Sequence, residues 1–228
     1  MLEEDFVEKL SLHQIVWYFF IYSILGMFLE NIFCFVTSMH IESRKGLLFG
    51  PFCPIYGVGS ILFTAIINQE KKKKIKVFLW GLFIGTIFEY FSSFALQAIY
   101  GVKFWDYSHQ LLNLNGRTSL MYSIFWGILA LCIIYVINPK IDKIINYFNY
   151  KSLDKIIIIY MCINTIITYN SLINYIKIAE YKIDKNENNK QSNSKTIITT
   201  DVMKKIFPNI IYVIDDKKSI LVKDLLKQ

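Results

Sequence analysis

The sequence predicts an all-α membrane protein of about five transmembrane helices, the second broken by glycine and proline, followed by a polar C-terminal tail. Three observations lead there. First, the 228 residues are 54% hydrophobic and 16% aromatic, with a mean hydropathy of +0.37, and the apolar residues gather in long blocks. Blocks of roughly 20 such residues are what a bilayer crossing requires. Second, no residue from Gly46 to Gln69 is charged, yet the stretch Gly46 to Gly59 holds two of the four prolines and four of the ten glycines. A membrane segment with helix breakers in its first half reads as broken or re-entrant, and its exposed backbone groups need other segments packed around them. Third, the formal charge of +7 comes from lysines and arginines lying between the apolar blocks and in the tail. That placement fits membrane topology and gives no sign of a nucleic-acid surface.

The elements follow in order. Residues 1–13 read as a short amphipathic lead-in, with Phe6, Val7 and Leu10 on one side. The first span runs from about Gln14 to Ser38, contains Glu30, and has Trp17, Tyr18 and Tyr22 near one end as interfacial aromatics. The broken second span ends near Gln69, before Lys71–Lys74 and Lys76. The third runs from about Val77 to Tyr100, carries Glu89, and holds Gly81 and Gly85 in a small-xxx-small spacing that permits close helix approach.

A polar connection from Gly101 to Thr118 holds Trp105, Asp106, Tyr107, Asn113, Asn115 and Arg117. The fourth span, about Ser119 to Ile137, is expected to stop at Asn138-Pro139. Residues 140–155 alternate lysine with Ile, Tyr and Phe at helical spacing, as an interfacial helix does, and a fifth span from about Ile156 to Ala179 carries Asn164, Asn170 and Asn174. The tail, residues 180–228, opens with the polar run Asp184 to Ser194 as a linker. Beyond it, Ile210–Ile214 and Ser219–Val222 suit a hairpin, which would need a partner surface.

Four scattered cysteines and three scattered histidines show no metal-ligand or disulfide spacing, so neither a metal nor another cofactor is expected. The acidic start and the lack of a cleavage-like site argue against a removable signal peptide.

If the spans alternate, one face collects Lys9, Lys71–Lys74, Lys76, Lys140, Lys143, Lys151 and Lys155, while the short loops of the other carry only Arg44, Lys45, Lys103 and Arg117. The positive-inside rule then makes the N-terminus cytoplasmic. Glu30 and Glu89 fall roughly 22 Å and 18 Å along their helices, at similar depth. A carboxylate there costs about 2.5 kcal/mol or more if it faces lipid, so both should face the interior. Arg44, Lys45 and Arg117 enter from the same side and are their natural partners. One reading is an outward-facing polar cavity built from Glu30, Arg44, Lys45, Tyr56, Glu89, Trp105, Asp106, Tyr107, Asn115 and Arg117. The other is a buried ion-pair network that only holds helices together, with the aromatics at the interface.

In combination, several motifs resemble the bacterial family of ABC-transporter permeases of the CmpB type. They are Gly26 with Glu30, Lys45-Gly46 leading to Gly50-Pro51 and Pro54 to Gly59, Thr86 with Glu89, Trp105 to Ser108, Asn113 with Gly116-Arg117, and Trp126-Gly127, covering about residues 14–140. The resemblance implies a multi-pass protein of the bacterial cell membrane and a transport role. The chain departs from the family in having Arg44-Lys45 where Asn-Arg is usual, and Gln97 where a further glutamate stands.

Three functions remain open: a permease subunit partnering a separate nucleotide-binding ATPase, an intramembrane enzyme acting on a lipid or envelope intermediate, and a structural or sensing membrane protein. No Gly-x-x-x-x-Gly-Lys-Ser/Thr loop is present, so ATP hydrolysis would need another chain.

Overall fold

A computed structural model describes residues 10–67, 73–148, 150–187, 198–215 and 218–226. Phe6 and Val7 of the lead-in, Lys71 and Lys72 of the lysine block, and residues 188–194 of the expected linker lie outside the described residues.

Among the described residues, four helices are long and apolar enough to cross a membrane: Leu12–Ser38 (α1), Lys74–Tyr100 (α3), Leu120–Tyr147 (α4 continuing into α5) and Lys151–Lys182, the greater part of α6. A shorter apolar helix, Pro54–Ile67 (α2), joins them. At 1.5 Å per residue its 14 residues span roughly 21 Å, less than the ~30 Å of a hydrocarbon core. Ser11 caps α1 in a reciprocal capping box with Gln14, and Met39 ends the helix in the left-handed conformation at φ 55°. Residues 39–53 are not helical, in keeping with Gly46, Gly50, Pro51 and Pro54.

Helices α3 and α4 pack closely because glycine replaces side chains at their seam. A Cβ on Gly85 would lie 2.3 Å from Cβ of Trp126, and one on Gly81 would lie 2.3 Å from Cβ of Ala130. The bundle core gathers Tyr18, Tyr22, Tyr56, Phe63, Trp126 and Ile134. Tyr18 and Tyr22 are therefore buried residues, not interfacial ones. Their hydroxyls reach Asp142 and Asn138 on α5, which draws the rings inward.

Asn138-Pro139 does not stop the fourth span. A π-helical turn, Ile133–Ile137, leads directly into α5 (Asn138–Tyr147), and the Asn138 N–H donates to the Ile133 carbonyl. Proline clashes with the carbonyl four residues back, and widening the turn before it lets the rod continue. Likewise, Asp184–Glu187 still belong to α6 (Lys151–Glu187), where a linker was expected to begin.

Beyond α6, α7 (Thr200–Ile206), β2 (Ile211–Asp215), β3 (Lys218–Leu221) and α8 (Val222–Leu225) form a small unit. Its sheet has a third strand that the sequence reading missed: β1 (Val102–Lys103), directly after α3, pairs antiparallel with β2. Val102, Leu48 and the α6 residues Leu172, Tyr175, Ile176 and Ala179 share a buried cluster with Met203, Phe207, Val222 and Leu225. The tail unit thus sits at the end of the bundle holding the 39–53 and 101–119 connections, the loop end. The opposite, turn end holds the α5–α6 turn.

Candidate functional site

The site begins at the broken segment. Cys53 N–H donates to the Ser23 carbonyl of α1 at 2.8 Å, which brings the segment to the middle of that helix. A Cβ on Gly26 would lie 2.2 Å from Tyr56, and one on Gly57 would lie 2.6 Å from the Phe19 carbonyl, so α2 runs antiparallel against α1. Side chains of α6 hold the irregular backbone. Phe49 N–H donates to Asn164 Oδ1 at 3.2 Å, Asn164 Nδ2 donates to the Phe49 carbonyl at 2.6 Å, and Leu48 N–H donates to Thr168 Oγ1 at 3.0 Å. Irregular backbone at membrane depth persists only when satisfied in this way.

This packing aims the Tyr56 hydroxyl at α1, where it donates to Glu30 Oε1 at 2.6 Å. On α3, Glu89 is 4% exposed and accepts a 2.6 Å hydrogen bond from Thr118 Oγ1. The two carboxyls lie within electrostatic reach of each other, and Tyr107 and the Trp126 indole border Glu89. Trp126 Nε1 is buried and makes no hydrogen bond of ordinary length. Rings enclose the cluster: Tyr107 stacks on Tyr122 with centroids 4.1 Å apart, and Tyr56 and Trp126 are 5.8 Å apart.

The family described as "Putative ABC-transporter type IV" matches residues 17–169, from α1 into α6. The chain belongs to it. No curated protein and no solved structure gives a match. The ABC-transporter type IV segment thus contains the broken segment, both carboxylates and the 101–119 connection, while the unit from residue 198 onward lies beyond it.

Within that segment the basic residues do not pair as expected. Arg117 turns away from the carboxylates along α3: Nη1 donates to Ser93 Oγ at 3.2 Å and Nη2 to Gln97 Oε1 at 2.7 Å, with the guanidinium over the Phe94 and Tyr90 rings. Gln97 supplies the acceptor there, and the two rings hold the plane of the fork.

Arg44 Nη2 donates to Cys34 Sγ at 3.2 Å. With the Asn209 amide oriented to satisfy its neighbours, Nη1 donates to Asn209 Oδ1 at 3.0 Å. Burial disfavours the Arg44 charge, but the Cys34 contact and the Glu30 and Glu42 carboxylates outweigh it and raise the guanidinium above its ordinary value. Lys45 is half-buried and makes no ion pair among the described residues. Neither do Glu30 and Glu89, so these charges form no buried ion-pair network.

The 101–119 connection is built by its own side chains. Asp106 Oδ1 accepts from Ser108 N–H at 3.1 Å and Oδ2 lies 3.5 Å from Lys103 Nζ. Trp105 Nε1 donates to the Arg117 carbonyl at 2.9 Å, and Asn113 Oδ1 accepts from Gly116 N–H at 2.9 Å. Asn115 and Gly116 both have positive φ, 53° and 67°, which suits an Asn-Gly turn. Asn115 Nδ2 reaches Tyr90 OH at 3.0 Å. Trp105, Asp106 and Asn115 therefore shape the loop, which in turn delivers Tyr107 to the carboxylates. Burial first, then the neighbouring Glu89, Tyr122 and Glu30, hold the Tyr107 phenol well above its ordinary value, so it stays a neutral donor.

Neither of the two best-formed hollows among the described residues reaches these carboxylates. The better-enclosed of the two best-formed hollows, about 60 Å³, is apolar and lined by residues including Tyr22, Gly26, Tyr56, Trp126 and Ile133, and neither hollow is lined by Glu30 or Glu89. The sequence reading missed Thr118, Tyr122 and Trp126 as neighbours of the carboxylates. It also missed Cys34 beneath Arg44, and Asn164 with Thr168 as holders of the broken segment. The asparagines of the fifth span were the available signal for the last, since an amide in an apolar helix needs a partner.

Proposed function

We propose that this chain is a permease-like subunit whose Glu30–Glu89 cluster receives a solute at the loop end, with a separate ABC-type ATPase supplying the energy. The observation that carries this reading is that two carboxylates on different helices, one of them 4% exposed, are held by hydroxyl donors and not by cations. Architectural charges at membrane depth are expected in pairs, whereas unpaired ones mark pathways and binding sites. With aromatic faces from Tyr56, Tyr107, Tyr122 and Trp126 around them, the chemistry suits a solute bearing a positive group. A helix that begins only in mid-bundle, as α2 does, is a recurrent setting for such sites.

In this reading Gly46–Ile67 is the fifth crossing, half irregular and half helix. The lysine-rich turn end faces the cytoplasm, and the loop end faces outward. Cross-linking in the native membrane, followed by purification and mass spectrometry, tests the partnership. A stoichiometric subunit with a phosphate-binding loop is expected. Its absence, together with turnover of a labelled lipid precursor in proteoliposomes without ATP, would replace the permease with an enzyme.

A further inference from the structure

The tail unit is fastened to both connections that carry site residues. On the 101–119 side, β2 is zipped to β1 with Val102 opposite Tyr212 and Lys103 opposite Ile211, immediately before Trp105, Asp106 and Tyr107. On the 39–53 side, Asn209 bridges Glu42 Oε2 at 2.9 Å and Arg44 Nη1 at 3.0 Å, and Lys223 Nζ lies 3.3 Å from Glu42 Oε1. Leu48 of the broken segment is buried in the tail unit's own core. One small body therefore ties together two connections that belong to different parts of the bundle.

We infer that the unit of residues 198–215 and 218–226 is a hinged lid over the loop end, latched through Asn209 to Arg44, which must lift for a solute to reach Glu30 and Glu89. The inference rests on the reading of those carboxylates as the site. The β1–β2 seam is only two residue pairs long and the Asn209 and Lys223 contacts are polar ones at half-buried positions, so these fastenings part at less cost than the apolar cluster of Leu48, Val102 and α6 on which the unit rests. Lifting it removes the Asn209 oxygen from Arg44, whose Nε is buried with no partner. The guanidinium is then free to swing toward Glu30, already within its electrostatic reach. Lid position and charge at the site are thereby coupled through one side chain.

Cys34 reports the motion. The residue is 3% exposed, and its sulfur is flanked by Ser38, the His40 carbonyl and Arg44, the last of which the latch holds in place. The experiment follows Cys34 modification by a small water-soluble maleimide in the purified full-length protein, resolved by peptide mass spectrometry. Asn209→Ala with Lys223→Ala should raise the rate about tenfold, the worth of roughly one charge-assisted hydrogen bond. Adding Lys103→Cys and Ile211→Cys, whose Cα atoms are paired across the seam, and oxidising them should return it to the parent rate.

In the otherwise unchanged protein, the same cross-link should slow modification below the parent rate, a comparison that survives if Asn209→Ala damages the unit. Equal rates with and without the cross-link would overturn the lid. Transport does not enter the readout, so failure of the lid leaves the solute reading standing. A failed solute reading would show separately, as a Glu89→Gln variant with unchanged phenotype.

Discussion

The two ends of the bundle use polar side chains in opposite ways. Toward the turn end most prominent ones are tied to a partner on another element, the buried Tyr135 hydroxyl being an exception. His13 Nδ1 and Trp17 Nε1 both meet Asp154 of α6, at 2.8 and 2.9 Å, Tyr18 meets Asp142, and Tyr22 donates to Asn138, which donates on to Thr64 at 3.0 Å. Trp17 also stacks on Phe148 at 5.7 Å. At the loop end Glu30 and Glu89 have hydroxyl donors but no cation among the described residues, and Trp126 Nε1, beside Glu89, and Arg44 Nε make no hydrogen bond of ordinary length. Fully satisfied networks fasten helices. Groups left partly unsatisfied in the same interior carry a cost that a fastening role does not explain.

The comparison breaks most visibly at Asn138, which is 6% exposed and joins three elements. Asn138→Leu leaves the Tyr22 hydroxyl without its acceptor in an apolar interior, while Thr64 keeps its bond to the Ser60 carbonyl, and should cost about 2 kcal/mol of stability, read as a lowered melting temperature in detergent. An unchanged melting temperature would mean that the network is incidental. Asp154→Ala frees His13 and Trp17 nearer the surface, where water replaces lost partners, so a smaller loss of about 1 kcal/mol is expected.

At the loop end the expectation reverses. Glu89→Gln keeps an acceptor for Thr118 and should shift stability by less than about 0.5 kcal/mol, yet abolish the growth or uptake phenotype that depends on the protein. A variant that melts early would move Glu89 into the fastening class.

This contrast was only partly legible in the sequence. Long apolar runs announce long helices, and Gly46 to Gly59 announces irregular backbone, because both signals are local. Glu30 and Glu89 were found because an ionisable residue stands out in an apolar run. Their surroundings were not, since Thr118 and Tyr122 look ordinary until the 101–119 loop folds back over α3. Arg117 misleads for the same reason: charge complementarity points it at a carboxylate, while the geometry of one helix face delivers it to Ser93 and Gln97. Asn138-Pro139 reads as a stop because the rule assumes α-helical spacing, and a π turn satisfies proline differently. A two-residue strand such as β1 carries no periodic signal; only its partner more than a hundred residues away defines it.

The subtlest test concerns Tyr107, which belongs to the loop by sequence and to the carboxylates by position. Burial, reinforced by Glu89 and Glu30, raises its phenol in the folded protein above the ordinary tyrosine value of about 10. The folded state then holds the proton more tightly than the unfolded chain. The resulting stability is fully present below pH ~10 and is lost as pH climbs from there toward the folded value. Tyr107→Phe removes that one titration, so its melting temperature should fall less steeply than the parent's above pH ~10, while the two profiles run parallel at neutral pH. Parallel profiles throughout would place the Tyr107 hydroxyl in water in the working protein, with the loop open over Glu89. That outcome would itself be informative, because a loop standing open in the resting state removes the need for a solute to wait on the tail unit.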